Sequence, residues 1–122
     1  MHKVTMIGFG AIGRSVFERM APNASVRITH VVVPEAALAD VQARLGDVAQ
    51  AVTAVPAGGV GLVIECAGHG ALVEHVVPAL ERGIESAVLS IGALSDPGLP
   101  ERLEEAAKKG GTQVHLLSGA IG

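Results

Sequence analysis

Apolar residues in this chain follow two periods in alternation. Short runs rich in Val and Ile occupy residues 4–7, 26–33, 61–66, 86–91 and 113–117, with a weaker alanine-rich candidate at 48–55. Runs of this kind suit strands covered on both faces. Between them, apolar residues recur at three- and four-residue spacing: Ile12, Val16 and Met20; Leu38, Val41 and Leu45; Leu72, Val76 and Leu80, with Val73 and Val77 beside them. These are helix stripes, predicting helices after residue 10 and over 35–45 and 71–82. A fourth helix is predicted over 100–109, acidic toward its start and with Lys108 and Lys109 at its end. Pro34 ends the second strand, because proline has no N–H for a ladder, and Gly46, Gly83 and Gly110-Gly111 end helices. Pro78 falls inside the third helix and predicts a kink or a weakened last turn. Simple alternation along 26–33 puts His30 on the face of Ile28 and Val32, as a packed or edge histidine. Strands and helices in strict alternation predict an α/β fold, a doubly wound parallel sheet with right-handed crossovers.

The first strand runs straight into Gly8-Phe9-Gly10-Ala11-Ile12-Gly13, and this G-x-G-x-x-G turn opens the first helix. Strand, glycine turn and helix in that order are the context in which the motif signals a dinucleotide. Gly8 suits a tight turn out of the strand, and Gly10 has no Cβ to block a pyrophosphate. Gly13 lets the helix pack closely. Free N–H groups at the helix start, reinforced by the helix dipole, favour the phosphate charge. Residues 1–122 are therefore predicted to form a Rossmann-type domain that binds NAD or NADP. NAD-selective members of this fold carry an acid at the end of the second strand, where it bonds the ribose 2′-hydroxyl. Here that position reads Val33-Pro34-Glu35. Two readings stand: Glu35 reaches the ribose from the turn, or the site lacks a strict acid and admits NADP as well.

Composition narrows the class. A chain of 122 residues makes one domain. With a net charge of −3 and no basic cluster, neither nucleic acid nor an acidic membrane surface is the expected partner. No apolar run approaches the ~20 residues that span a bilayer. The first strand begins at about residue 3, leaving no room for a signal peptide ahead of it. Cys66, the lone cysteine, excludes an internal disulfide and fits a reducing, cytoplasmic setting. Aromatics are only 2%, so Val, Leu, Ile and Ala must fill the core.

Three further segments follow strands at the predicted carboxyl edge, where ligands sit in open α/β sheets. They are Cys66-Ala67-Gly68-His69-Gly70, Gly92-Ala93-Leu94, and Ser118-Gly119-Ala120-Ile121-Gly122. His69 suits proton transfer, and equally reads as a polar loop residue touching cofactor or solvent. Cys66 reads as a small buried filler, with a nucleophile as the alternative. Cys66, His69 and His75 lack a fourth partner for a metal. The helix carboxylates form no acid/base pair. No catalytic or metal-binding residue is assigned within the chain.

Five blocks, in order, carry a resemblance: Ile7-Gly8-Phe9-Gly10-Ala11-Ile12-Gly13-Arg14, Val31-Val32-Val33-Pro34-Glu35, Glu65-Cys66-Ala67-Gly68-His69, Ser90-Ile91-Gly92-Ala93-Leu94 and Leu117-Ser118-Gly119-Ala120-Ile121-Gly122. Together they resemble the amino-terminal half of the L-aspartate dehydrogenase family; the Cys-Ala-Gly-His and Ser-Gly-Ala-Ile-Gly blocks are the most particular. The resemblance implies NAD(P)-dependent oxidative deamination of L-aspartate to iminoaspartate, then oxaloacetate and ammonia, or onward to quinolinate in NAD biosynthesis. It places Gly8, Gly10, Ala11, Ile12 and Gly13 at the pyrophosphate and Pro34-Glu35 by the adenosine. It sets Cys66, Ala67, Gly68, His69, Gly92 and Ala93 toward ribose and nicotinamide, and Ala120 against the cofactor at a domain junction. It also implies a second, catalytic domain beyond residue 122 and a homodimer at full length. Two alternatives stay open: the first domain of a homoserine- or dihydrodipicolinate-type dehydrogenase, and a stand-alone dinucleotide-binding module.

Overall fold

The computed structural model describes residues 2–20, 26–90 and 97–116. In chain order the elements are β1 (His2–Ile7), α1 (Ala11–Met20), β2 (Val26–Val32), a 3-10 turn (Glu35–Ala37), α2 (Leu38–Leu45), β3 (Gln50–Val52) and β4 (Leu62–Glu65). A three-part helix follows: α3 (His69–Ala71), a π-helical segment (Leu72–Val76) and α4 (Val77–Glu81). The chain continues through β5 (Ser86–Val88), α5 (Leu99–Gly110) and β6 (Val114–Leu116). All strand pairs are parallel, in the order β3-β2-β1-β4-β5-β6. The order reverses direction between β1 and β4, so the connections leaving those two strands diverge to opposite faces. Such a switch point opens a crevice at the carboxyl edge.

Each face buries its own core. On one side Val4, Met6, Ile28, Val31 and Ile64 meet Val41 and Leu45 of α2, with Val16 and Phe17 of α1 packed alongside. On the other, Ile7, Val32, Val63 and Val88 meet Leu72, Val76, Val77 and Leu80, together with Leu99, Leu103, Ala106 and Ala107 of α5. This two-sided burial is why the strand sequences read as nearly continuous apolar runs.

Several boundaries depart from the predicted ones, each for a local reason. In β2 the pairing slips between Val4 and Thr5: Val4 faces Ile28, but Thr5 faces His30. Thr29 is an extra residue, and a one-residue bulge inverts the inside–outside phase of everything after it. Ile28 therefore shares a core with Val31, while Val32 lies in the opposite one. His30 keeps the side of Val32 and loses that of Ile28. The 48–55 candidate contracts to three residues, paired only with His30–Val32 at the sheet edge. Gln42 fixes this edge, accepting the Ala51 N–H at 2.8 Å and donating to the Ala49 carbonyl at 3.1 Å. β5 stops early because Leu89 still donates to the Glu65 carbonyl, whereas the Ser90 N–H turns to the Glu65 side chain. Ile91 lies outside the described residues.

The third helix begins at His69 instead of Ala71, and Pro78 does not weaken its last turn. The helix widens upstream of the proline, where Val77 N–H reaches five residues back to the Leu72 carbonyl. A wide turn there relieves the clash between a proline ring and the carbonyl four residues before it. The far end closes well: Gly83 at φ +88° donates to Leu80, and Ile84 donates to Ala79. That is a Schellman cap, and Gly111 with Thr112 repeats it after α5. Where these two helix ends cross, a Cβ on Gly110 would lie 1.8 Å from the Leu80 carbonyl oxygen. Lys109 meets Glu81 across the same crossing at 3.6 Å.

Candidate functional site

The turn after β1 is held from both neighbouring strands. Gly8 N–H donates to the Val32 carbonyl at 2.8 Å, and Cys66 N–H donates to the Ile7 carbonyl at 2.9 Å. Its three glycines have different reasons to be glycine. Gly8 sits at φ +94°, and a Cβ there would be 2.8 Å from the Ala67 Cβ. At Gly13 a Cβ would lie 2.7 Å from the carbonyl oxygen of Gly8, so α1 leans on the turn itself. Gly10 is exposed, and nothing lies within 4 Å of where its Cβ would be. The fold requires the first two glycines and is indifferent to the third. Just beyond Gly10, the first-turn N–H groups of the ten-residue helix α1 have no intrahelical acceptor.

A cleft of about 470 Å³ opens at the switch point. Ile7, Gly8, Val32 and Val33 form its floor; Pro34, Glu35 and Thr53 line one wall, and Ala67, Ala71, Glu74 and His75 the other. Glu74 and His75 belong to the π-helical segment and pair with each other at 3.0 Å. On the other side of the glycine turn, a smaller depression of about 190 Å³ is bordered by Gly10, Ala11, Arg14, Asp40 and Arg44. There Arg44 is engaged with Asp40 at 3.3 Å.

The loop after β4 is organised by a carboxylate. Glu65 is fully buried at the strand end, and its Oε2 accepts the N–H groups of Ala67 at 2.7 Å and Gly68 at 2.5 Å. Ser90, at the carboxyl end of β5, donates its hydroxyl to both carboxylate oxygens and its N–H to Oε1 at 3.3 Å. Gly68 then turns at φ +123°, and its carbonyl accepts from Leu72 to start the helix. Beside it, burial and then the Glu65 charge push the Cys66 thiol up to about 12. A thiol so disfavoured as thiolate is a poor nucleophile. Among the described residues no group of three His, Cys, Asp or Glu side chains gathers as a metal site.

This fold has counterparts. The model of the homoserine dehydrogenase NAD-binding domain matches residues 8–117. The chain belongs to that family. It is an NAD(P)-binding Rossmann domain, as the glycine turn predicted. Over its whole length it is 51% identical to an L-aspartate dehydrogenase of Cupriavidus necator, of which it covers 47%. The chain thus spans about half the length of the curated relatives it matches. Among solved structures, the WlbA dehydrogenase of Bordetella pertussis in complex with NADH and UDP-GlcNAcA superposes with a TM-score of 0.76 at 14% identity, over 92% of this chain and 35% of that one. An aspartate dehydrogenase of Thermotoga maritima gives 0.65 at 19% identity, over 93% and 44%. At these identities the structures establish the fold.

Within this NAD(P)-binding domain the predicted residues divide by location. Gly8, Pro34, Glu35 and Ala67 line the main cleft, and Gly10 and Ala11 line the depression beside it. Ile12 and Gly13 lie in the first turns of α1, and His69 is the first residue of α3. Cys66 and Gly68, the chain neighbours of Ala67, are half-buried. Gly92, Ala93 and Ala120 lie outside the described residues. Sequence reasoning missed Thr53, Ala71, Glu74 and His75 as cleft residues, because the short β3 and the π-helical segment set their positions. It also missed Glu65 as an organiser. One signal was present: a single carboxylate closing the apolar run Leu62-Val63-Ile64 in a central strand.

Proposed function

We propose that this chain is the dinucleotide-holding half of an NAD(P)-dependent L-aspartate dehydrogenase. The observation that carries the proposal is identity near one half, along the entire chain, to proteins named for that activity. The switch-point cleft and fold-neutral Gly10 support it. When bound, the nicotinamide supplies a hydride acceptor for the α-carbon of L-aspartate, the chemistry that yields iminoaspartate and then oxaloacetate and ammonia. The chain's own residues bind and orient. The first-turn N–H groups of α1 take the pyrophosphate charge, with Gly10 leaving room for it. The adenosine lies in the cleft against Val33, Pro34 and Ala67, with Glu35 at the rim beside the ribose. His69, Gly92, Ala93 and Ala120 belong to the nicotinamide side in this reading.

Proton transfer and the dicarboxylate contacts fall to a second domain beyond residue 122, and the complete enzyme is a cytoplasmic homodimer supplying NAD biosynthesis. The free cysteine supports the cytoplasmic setting, and among the described residues no helix is long and apolar enough to cross a membrane. The deciding assay follows nicotinamide reduction by the full-length protein with L-aspartate or L-homoserine and either dinucleotide. Turnover of aspartate, and binding without turnover by residues 1–122 alone, is expected. Preference for homoserine would overturn the substrate assignment, and steady turnover by the 122-residue chain would overturn the division of labour.

A further inference from the structure

Glu65 is a buried carboxylate that hydride transfer does not use. It is 0% exposed in the middle of the sheet, between Ile7 of β1 and Val88 of β5. Its bonds come from the Ala67 and Gly68 N–H groups, the Ser90 N–H and the Ser90 hydroxyl. Burying a carboxylate is costly unless donors satisfy it, and here its partners are all donors. These donors belong to two separate strand ends, β4 and β5. Ala67 in turn forms one wall of the cleft and abuts Gly8, the first glycine of the phosphate turn.

We propose that Glu65 is a positioning residue for the dinucleotide: its carboxylate ties the ends of β4 and β5 together and thereby holds Ala67 against Gly8 at the depth the cofactor requires. The inference rests on the assignment of this cleft to NAD(P). A neutral amide cannot replace the carboxylate. The amide NH2 of glutamine would face N–H donors on one side, and at least one backbone N–H would lose its acceptor. The loop would relax outward and the wall with it.

The test measures NADH affinity and amide exchange in wild-type, Glu65→Gln, Ser90→Ala and the double variant, each checked by melting temperature. Wild-type binding tests the cleft assignment by itself; the variants test the clamp. Glu65→Gln is expected to weaken NADH binding about tenfold and to speed exchange at whichever of the Ala67, Gly68 and Ser90 amides the glutamine leaves without an acceptor, while the amides of β1 and β2 stay protected. Ser90→Ala should cost several-fold in wild type and less than twofold in the Glu65→Gln background, because the two residues act as one device. Should Glu65→Gln fail to fold, Ser90→Ala still decides, since it removes only the hydroxyl of the β5 arm and leaves the Ser90 N–H on the carboxylate. Variants that lower the melting temperature but bind NADH as wild type does would overturn the proposal, as would fully additive losses in the double variant.

Discussion

Replacing Gly10 by Val separates the fold from the function of the glycine turn. A Cβ added here would meet no atom within 4 Å, and the residue is the exposed N-cap of α1, its carbonyl accepting from Arg14 at 2.9 Å. The structural cost is thus the N-cap difference between Gly and an apolar residue, about 0.5–1 kcal/mol, or about 2–5 °C in melting temperature for a chain of this size. The functional cost is larger. A branched side chain there occupies the space through which the pyrophosphate reaches the first-turn N–H groups. Losing two charge-assisted hydrogen bonds at about 1.5–3 kcal/mol each weakens binding on the order of 100-fold or more. Gly13→Ala is the control of opposite character: its Cβ would press on the Gly8 carbonyl oxygen at 2.7 Å, an overpacking cost of about 1–3 kcal/mol partly offset by better helix propensity. Calorimetric titration with NADH and a thermal melt on both variants complete the experiment. Unchanged affinity in Gly10→Val refutes the seat assigned to the pyrophosphate; collapse of its fold refutes the division among the glycines.

Gly110→Ala puts a Cβ 1.8 Å from the Leu80 carbonyl oxygen, so the α4–α5 crossing must open. A loss of about 2 kcal/mol or more is expected despite the gain in helix propensity, read as a lower urea midpoint. Thr5 is fully buried, and among the described residues its hydroxyl has no hydrogen-bond partner. Thr5→Val should therefore stabilise by about 1 kcal/mol, and a lower urea midpoint than wild type would contradict this. The Cys66 thiol, raised to about 12, should resist a thiol-specific chromogenic reagent at pH 8 until the chain is unfolded. Because the folded value lies above the ordinary thiol value of 9.0, the associated stability is present below pH 9.0 and is lost as pH rises toward 12. Wild type should thus lose melting temperature faster than Cys66→Ala across that alkaline range.

Much of this molecule is legible from local pattern alone. The six strands and the helix stripes need only period and punctuation, because a two-sided parallel sheet writes its burial directly into apolar runs. The positive-φ glycines Gly46, Gly83 and Gly111 fall at helix ends, as C-cap chemistry requires. The illegible features depend on partners distant in sequence. The Thr29 bulge exists only in relation to the register of β1, and nothing in Val26–Val32 itself marks the extra residue. The π-helical segment is a response to Pro78, but whether a helix answers a proline by kinking or by widening depends on what packs around it. In the site, the glycine turn announces itself as one contiguous motif. The second cleft wall does not, because Ala67, Ala71 and His75 are brought there by a loop whose shape a buried carboxylate fixes from below. Gly10 is the clearest case of the two views together: the motif names it, and the empty space around it shows that the fold has no need of it.

The central claim is that a dinucleotide lies across the β1–β4 switch point with its pyrophosphate on the glycine turn. Titrating NADH into isotopically labelled protein and following backbone amide shifts tests it most directly. The largest changes are predicted at Gly8, Gly10, Ala11, Ile12 and Gly13, with a second group at Val33, Glu35, Ala67 and Gly68, while α5 and β6 stay unmoved. Saturating NADH that leaves the glycine turn unshifted, or that shifts amides chiefly along α5, would contradict the account.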